Sequence, residues 1–371
     1  MKQAQLHRLF DRALARSVIG LAVVCAAAAP AFAYDGHQYI YTLDNQPDNR
    51  VVILDQKPDG SLDLVGSLST HGTGSGAGLG SQGALALTQN RRWLLAVSAA
   101  SNQITTFAVN DHELTFVATI GSGGVAPISV TSHGDLIYVL NAGGAGNITG
   151  FKISHDGTLA PIPGSTRGLG GPATGPAEVK FSNGGEFLVV SEKAANQLAV
   201  FEVADGVAQP ATITPSSGTV PFGFDIDPRD HVIVSEAASG TVSSYELRDR
   251  TDNLTVITAS LQTNQGAPCW LVVTPNGRYA YAGNAASGTI TGFSVARNGL
   301  LSRLVANGVS ASTGAGSHTI DLATGADGRF LYALANVGQT VTAFRIGTDG
   351  SLTATGQYTG VPVSTVGLVA R

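Results

Sequence analysis

Cysteine is almost missing from this chain: of 371 residues only Cys25 and Cys269 are cysteines. Cys25 lies in an N-terminal segment that reads as removable, which leaves Cys269 alone and excludes an intramolecular disulfide. A single thiol and few histidines outside turns also argue against a zinc or other transition-metal site, so no metal and no cofactor is expected. Charge is sparse, at 13% Asp, Glu, Lys and Arg, with a net charge of −5. No block of Lys and Arg is available for a phosphate backbone, which excludes nucleic acid as a partner. Beyond the N-terminus there is no apolar run near the roughly 20 residues that a membrane span needs. No long stretch keeps a 3.6-residue period either, which excludes a helical fold.

What is present begins with residues 1–33, which read as a signal peptide. Lys2, Arg8, Arg12 and Arg16 form a positive start, residues 17–29 are apolar or small, and Ala31-Phe32-Ala33 is a small-x-small cleavage site. The mature chain is expected to begin at Tyr34 and to be periplasmic or secreted. Without the leader, 17 basic residues face 25 acidic ones, a net charge of −8.

The 47 glycines suit an all-β chain with many tight turns. Residues 34–371 repeat one unit: an opening with Pro, an apolar strand, a polar turn, a second strand, a small polar loop, a third strand and a weaker fourth. Pro127, Pro176, Pro221 and Pro268 mark four starts, at spacings of 49, 45 and 47 residues, the period of a propeller blade. Further starts fall near Gly83 and Ser317. Asn183-Gly184, Asn276-Gly277 and Asp327-Gly328 punctuate first-to-second-strand turns. Asp59-Gly60, Asp156-Gly157, Asn298-Gly299 and Asp349-Gly350 punctuate third-to-fourth ones. The chain opens on a second strand at Tyr39 and ends on a lone first strand after Pro362. The pattern therefore predicts a seven-bladed β-propeller whose residues Val363 to Ala370 pair with Tyr39 to Leu43. Such closure removes exposed sheet edges. The glycine-rich stretch from His71 lacks a Lys and a following helix, and reads as a flexible inter-blade loop rather than a phosphate site.

A propeller sorts its connections onto two faces. Inter-blade and second-to-third-strand loops share one, called here the top. Most histidines, His133 and His231 among them, fall in turns and read as solvated, as do Arg91, Arg92, Arg229, Arg278 and Arg329 of the bottom turns. Arg50, Arg167 and Lys193 are the cations left for the top. Glu178 opens a first strand, Glu192 and Glu236 occupy equivalent positions, and Asp225 and Asp321 lie in first strands beside the channel. A carboxylate near the axis is costly to desolvate unless paired or hydrated. The competing role for each is to accept backbone N–H bonds of the next blade. Cys269 and Trp270 open another first strand, where a buried thiol and a packed indole are the default.

The blade segment GDLIYVLNAGGAGNITGFKISHDGTL, from Gly134, resembles the seven-bladed lactonase family, which includes phosphogluconolactonases and carboxymuconate-lactonizing enzymes. The resemblance spans the mature chain, and VPFGFDIDPRDHVIVSEAASGTVSSYEL looks like exported bacterial members. It implies a small-molecule lactone or sugar-like ligand and a monomer. One departure stands out. Where phosphogluconolactonase-type members have Gly-Pro-Arg-His, this chain has GPAE at Gly175 to Glu178, so Ala177 and Glu178 replace the Arg and His. The loop glutamate of the same blade is kept as Glu192. An acid in place of a cation disfavours a phosphorylated or polycarboxylate substrate.

The expectation is an exported lactonase for an unphosphorylated lactone. Glu178, Glu192, Glu236 and His318 are the candidate catalytic residues, and Arg167, Lys193, Asp321 and Trp270 the candidate substrate contacts. A non-catalytic binding or scaffold propeller of the cell envelope is the alternative, and a calcium-assisted lactonase ranks third.

Overall fold

The computed structural model describes residues 38–110, 113–247 and 253–371. The leader, His37 and His112 lie outside the described residues. Seven antiparallel sheets follow one another as blades. Blade 1 has Val366–Ala370 innermost, then Gln38–Leu43, Arg50–Gln56 and Leu62–Ser69. Blades 2 to 7 follow in sequence order. Their innermost strands are Leu85–Leu87, Pro127–His133, Pro176–Phe181, Pro221–Ile226, Pro268–Val273 and Thr319–Thr324. The four prolines read as blade starts each open, or immediately begin, an innermost strand.

The closure is as expected in kind and shorter in extent. Ile40 pairs with Ala370, Tyr41 with Val369, Thr42 with Leu368 and Leu43 with Val366. A turn bonded from Thr365 N–H to the Pro362 carbonyl (3.0 Å) delays the strand to Val366.

Burial explains the strand pattern. Second strands such as Trp93–Ser98, Phe187–Glu192 and Phe330–Ala335 are buried along their whole length. Each lies between flanking strands and between neighbouring blades, so it reads as a continuous apolar run rather than an alternating one. Outer strands such as Leu254–Gln262 are exposed or half-buried along most of their length. Buried tyrosines join blade to blade. The Tyr138 hydroxyl donates to the Gly206 carbonyl (2.9 Å) and accepts from Ala208 N–H (2.8 Å). Tyr281 donates to the Gly350 carbonyl (2.9 Å) in the same manner.

The first-to-second-strand turns share one geometry. Gly134, Gly185, Gly277 and Gly328 supply its left-handed position, with φ of 56°, 82°, 67° at Gly328 and 64° at Gly277. In the fourth blade this residue is Gly185 rather than the expected Gly184. In blade 2 the position belongs to Arg91, with φ of 56°. His231 corrects an expectation: it is not a solvated turn residue. It is buried, with Nδ1 3.0 Å from Asp227 Oδ2. Burial would raise the Asp227 pKa, but bonds from His231 and Arg229 outweigh it and hold the carboxylate down at about 2.

The glycine-rich linker also departs from expectation. It connects Ser69 to Leu85 and crosses the top of the channel, pinned at several points. Ser81 Oγ donates to the Ile128 carbonyl (2.9 Å), and Gln82 N–H donates to the Ala177 carbonyl (3.1 Å). The Gln82 side chain bonds both the N–H (2.9 Å) and the carbonyl (2.7 Å) of Leu271.

Candidate functional site in the central channel

First strands alternate one side chain toward the channel with one toward the blade. In Pro176–Phe181, Ala177, Val179 and Phe181 join the apolar packing, so Glu178 and Lys180 face the axis. The same alternation brings Asp225 of blade 5 and Asp321 of blade 7 to the axis. Together they line a cavity of about 350 Å³. Leu271-bound Gln82 closes its upper end. Its walls are the lower halves of the innermost strands, and its rim includes Thr88, Gln89 and Arg91 of the blade 2 turn. The cavity therefore opens on the bottom face.

Lys180 Nζ lies 2.6 Å from Asp225 Oδ1. Asp225 also accepts from Ile226 N–H and, across the blade boundary, from Val273 N–H, both at 2.8 Å. Protein encloses Lys180, yet its side chain keeps 37% exposure through the channel. Burial acts to lower its pKa. The neighbouring Asp225 and Glu178 outweigh that and raise it, so the ammonium stays charged.

Glu178 Oε2 accepts from Phe224 N–H of the next blade at 2.7 Å. Burial lifts its pKa well above the carboxylate range, against the opposing pull of Lys180. Asp321 is 2% exposed, and Leu322 N–H donates to its Oδ1 at 2.8 Å. Burial lifts its pKa well above the usual value too. Its Oδ2 is buried and makes no hydrogen bond of ordinary geometry, although the Leu368 N–H of blade 1 pulls the carboxyl back toward its charged form. An orphaned buried carboxylate oxygen is costly, by about 1–3 kcal/mol or more, and calls for an explanation.

Known proteins carry the same fold and sequence pattern. The profile described as "Lactonase, 7-bladed beta-propeller" matches residues 30–172, 157–267 and 236–367. The chain belongs to this family. A 6-phosphogluconolactonase of Serratia proteamaculans (strain 568) is 27% identical over 267 residues, covering 68% of this chain and 77% of that protein. A solved structure from Bacteroides fragilis NCTC 9343 superposes with a TM-score of 0.73 at 18% identity, covering 92% of this chain and all of the other. The periplasmic gluconolactonase of Pseudomonas aeruginosa superposes with a TM-score of 0.69 at 15% identity, covering 90% and 99%.

In this lactonase-family propeller the cavity gathers Glu178 and Asp321 from the expected set. The other six residues lie elsewhere. Glu192 is buried at the end of its strand, where Oε1 accepts from Gly170 N–H (2.9 Å) and Oε2 from the Gln197 amide (2.6 Å). Burial raises its pKa. Glu236 accepts from Gly218 N–H (2.6 Å) and from the hydroxyls of Ser216 (3.0 Å), Thr241 (2.5 Å) and Ser243 (2.8 Å). Both carboxylates thus tie a second strand to the inter-blade linker, as Asn141 does through Ser122 (3.2 Å). His318 is exposed in a linker, with φ of 56°. The Arg167 guanidinium donates to nearby carbonyls at Gly164 and Thr166.

Lys193 and Trp270 sit under the linker instead. Trp270 Nε1 donates to the Ser81 carbonyl (2.9 Å) and its ring meets Phe222 at 4.9 Å. Lys193 donates to the Gly80 carbonyl and lies 4.6 Å from the Phe222 ring centroid. Burial pushes the Cys269 thiol up to about 12, so it is no nucleophile at neutral pH. Among the described residues, no group of three or more His, Cys, Asp or Glu is placed to hold a metal ion.

Sequence reasoning missed Lys180 and Arg91. The signal for Lys180 was the period of two from Glu178. The signal for Arg91 was the alignment of TQNRRW (Thr88 to Trp93) with TPNGRY (Thr274 to Tyr279), which sets Arg91 against Gly277.

Proposed function

We propose that this propeller is an exported hydrolase of an unphosphorylated lactone, and that its chemistry takes place in the channel cavity. The observation that carries the reading is the unpartnered Asp321 Oδ2 in a cavity that also holds the Lys180 ammonium. Asp321 in its ionised form takes the proton of a water whose oxygen attacks the acyl carbon. A carboxyl with a raised pKa is the better base near neutral pH. Lys180, kept charged by Asp225, faces the carbonyl oxygen as it becomes an oxyanion. The acyl C–O bond of the ring then breaks. Its oxygen takes a proton from a carboxylic acid, for which protonated Glu178 is suited. The products are a carboxylate and a free hydroxyl.

Two further points support the reading. The start of the chain has the pattern of a signal peptide, and one structural neighbour is named a periplasmic gluconolactonase. One observation favours the binding-module alternative: Glu192 and Glu236 are fully engaged in holding backbone and hydroxyl groups. The test is a panel of aldonolactones and aryl lactones assayed with wild type, Asp321→Asn, Lys180→Met and Glu192→Gln. Asp321→Asn should lose about 10²–10⁴-fold in kcat. Full activity in Asp321→Asn with loss in Glu192→Gln would move the chemistry to the top-face loop. No turnover of any lactone by wild type, with or without calcium, would leave the binding module.

A further inference from the structure

Arg91 is an unusual choice for its place in the turn. Blades 3, 4, 6 and 7 have Gly134, Gly185, Gly277 and Gly328 in the corresponding left-handed position. A left-handed conformation costs a side chain such as arginine roughly 1–2 kcal/mol, and glycine avoids it. In exchange, Arg91 lines the cavity rim, half-buried. Among the described residues its guanidinium has no hydrogen-bond partner. The charges facing it are Arg371, which repels it, and Asp327, whose attraction is the weaker influence. A half-buried guanidinium without a partner is a ready site for a planar anion, because its N–H fork matches a carboxylate.

The ionisable groups lining the cavity are Arg91, Lys180, Glu178, Asp225 and Asp321. Lys180 and Asp225 neutralise each other. Burial favours the neutral acids of Glu178 and Asp321. What remains uncompensated is the rim cation, about 350 Å³ of space and the unpartnered Asp321 Oδ2. A small polyhydroxy molecule fits that space, and the rim guanidinium offers one place for a negative group.

We propose that the cavity is entered from the bottom face by a polyhydroxy ligand bearing one carboxylate, which Arg91 receives while Lys180 and Asp321 meet the ligand's other oxygens. For an enzyme the substrate class is then a sugar-acid lactone that keeps a free carboxylate beside its ring. The lactone ring in this statement rests on the proposed hydrolase; the carboxylate contact does not.

The experiment pairs kinetics with binding. Glucaro-1,4-lactone, which has a free carboxylate, is compared with neutral galactono-1,4-lactone. Separately, calorimetry compares gluconate with the neutral polyol sorbitol. The variant is Arg91→Gly, which installs the residue that four other blades carry and so should fold. Loss of a charged hydrogen-bonded pair should weaken gluconate binding about 10- to 100-fold. It should raise KM for the glucarolactone by a similarly larger factor than KM for the galactonolactone, and Arg91→Lys should recover part of both effects. If wild type hydrolyses lactones but Arg91→Gly leaves the ratio of the two KM values unchanged, the carboxylate contact is overturned and the hydrolase stands. If no lactone is turned over yet gluconate binds in an Arg91-dependent way, the hydrolase falls and the site stands. If folded wild type binds no gluconate at millimolar concentration, the site is overturned.

Discussion

Asp321 and Glu192 are both buried carboxylates, and their surroundings give them different roles. Glu192 has both oxygens engaged, whereas Asp321 has one left over. A carboxyl whose folded pKa is raised contributes stability below its unfolded pKa, near 3.9, and loses it as pH rises toward the folded value. Asp321→Asn should therefore match wild type in Tm at pH 4 and exceed it at pH 7 to 8, while losing activity. Melting curves across that range check it, and a Tm difference that does not grow with pH would contradict it. Asp227 has the reverse sign. Its pKa of about 2 means stability that is present above pH 4 and lost as pH falls through 2. Asp227→Asn should cost about 2 kcal/mol at pH 6 and almost nothing at pH 2, measured by denaturant titration. Part of this was legible in the residues. Glu178, Asp225 and Asp321 could be placed near the axis because they lie in first strands. Lys180 is less legible because it is a strand residue whereas the sequence pattern puts the other candidate cations in loops, and Arg91 because a turn arginine is ordinarily solvated.

At the scale of elements, the linker of residues 70–84 was read least well. Its glycines suggested a flexible connection, and composition says nothing of what the non-glycine residues reach. Among its non-glycine residues, Leu79, Ser81 and Gln82 bond or pack against distant blades. Because this segment closes the top of the channel, it also decides which mouth a ligand can use. Gln82 supplies both a donor and an acceptor to Leu271, and its loss would orphan two buried backbone groups. Gln82→Leu should therefore destabilise the protein by about 1–3 kcal/mol. Chemical denaturation reads this directly, and an unchanged midpoint would show that the linker is not pinned. The strands themselves were legible because a blade repeats: prolines marked starts, Asn-Gly and Asp-Gly marked turns, and only the last strand began later than expected.

At the scale of the molecule, closure depends on five residues at the end of the chain. Val366, Leu368 and Ala370 are buried, and the strand completes the innermost ring between Leu85–Leu87 and Thr319–Thr324. Thr42 donates to the Gly367 carbonyl (2.6 Å), and Arg371 N–H to the Tyr39 carbonyl (2.8 Å). Burial of Val366 and Leu368 contributes about 1.5–3 kcal/mol each, before any ladder bond is counted. A domain is typically stable by only about 5–15 kcal/mol, so removing this strand takes a large share and opens two sheet edges. Deletion of residues 361–371 should lower Tm sharply and cause aggregation, followed by differential scanning calorimetry and light scattering. A second variant separates the loss of the strand from the loss of chain length. Moving residues 361–371 in front of Gln38 through a short turn keeps the pairing in one hairpin, and it should restore cooperative melting. Truncated protein that melts cooperatively near the wild-type Tm would show that the propeller does not depend on its terminal strand.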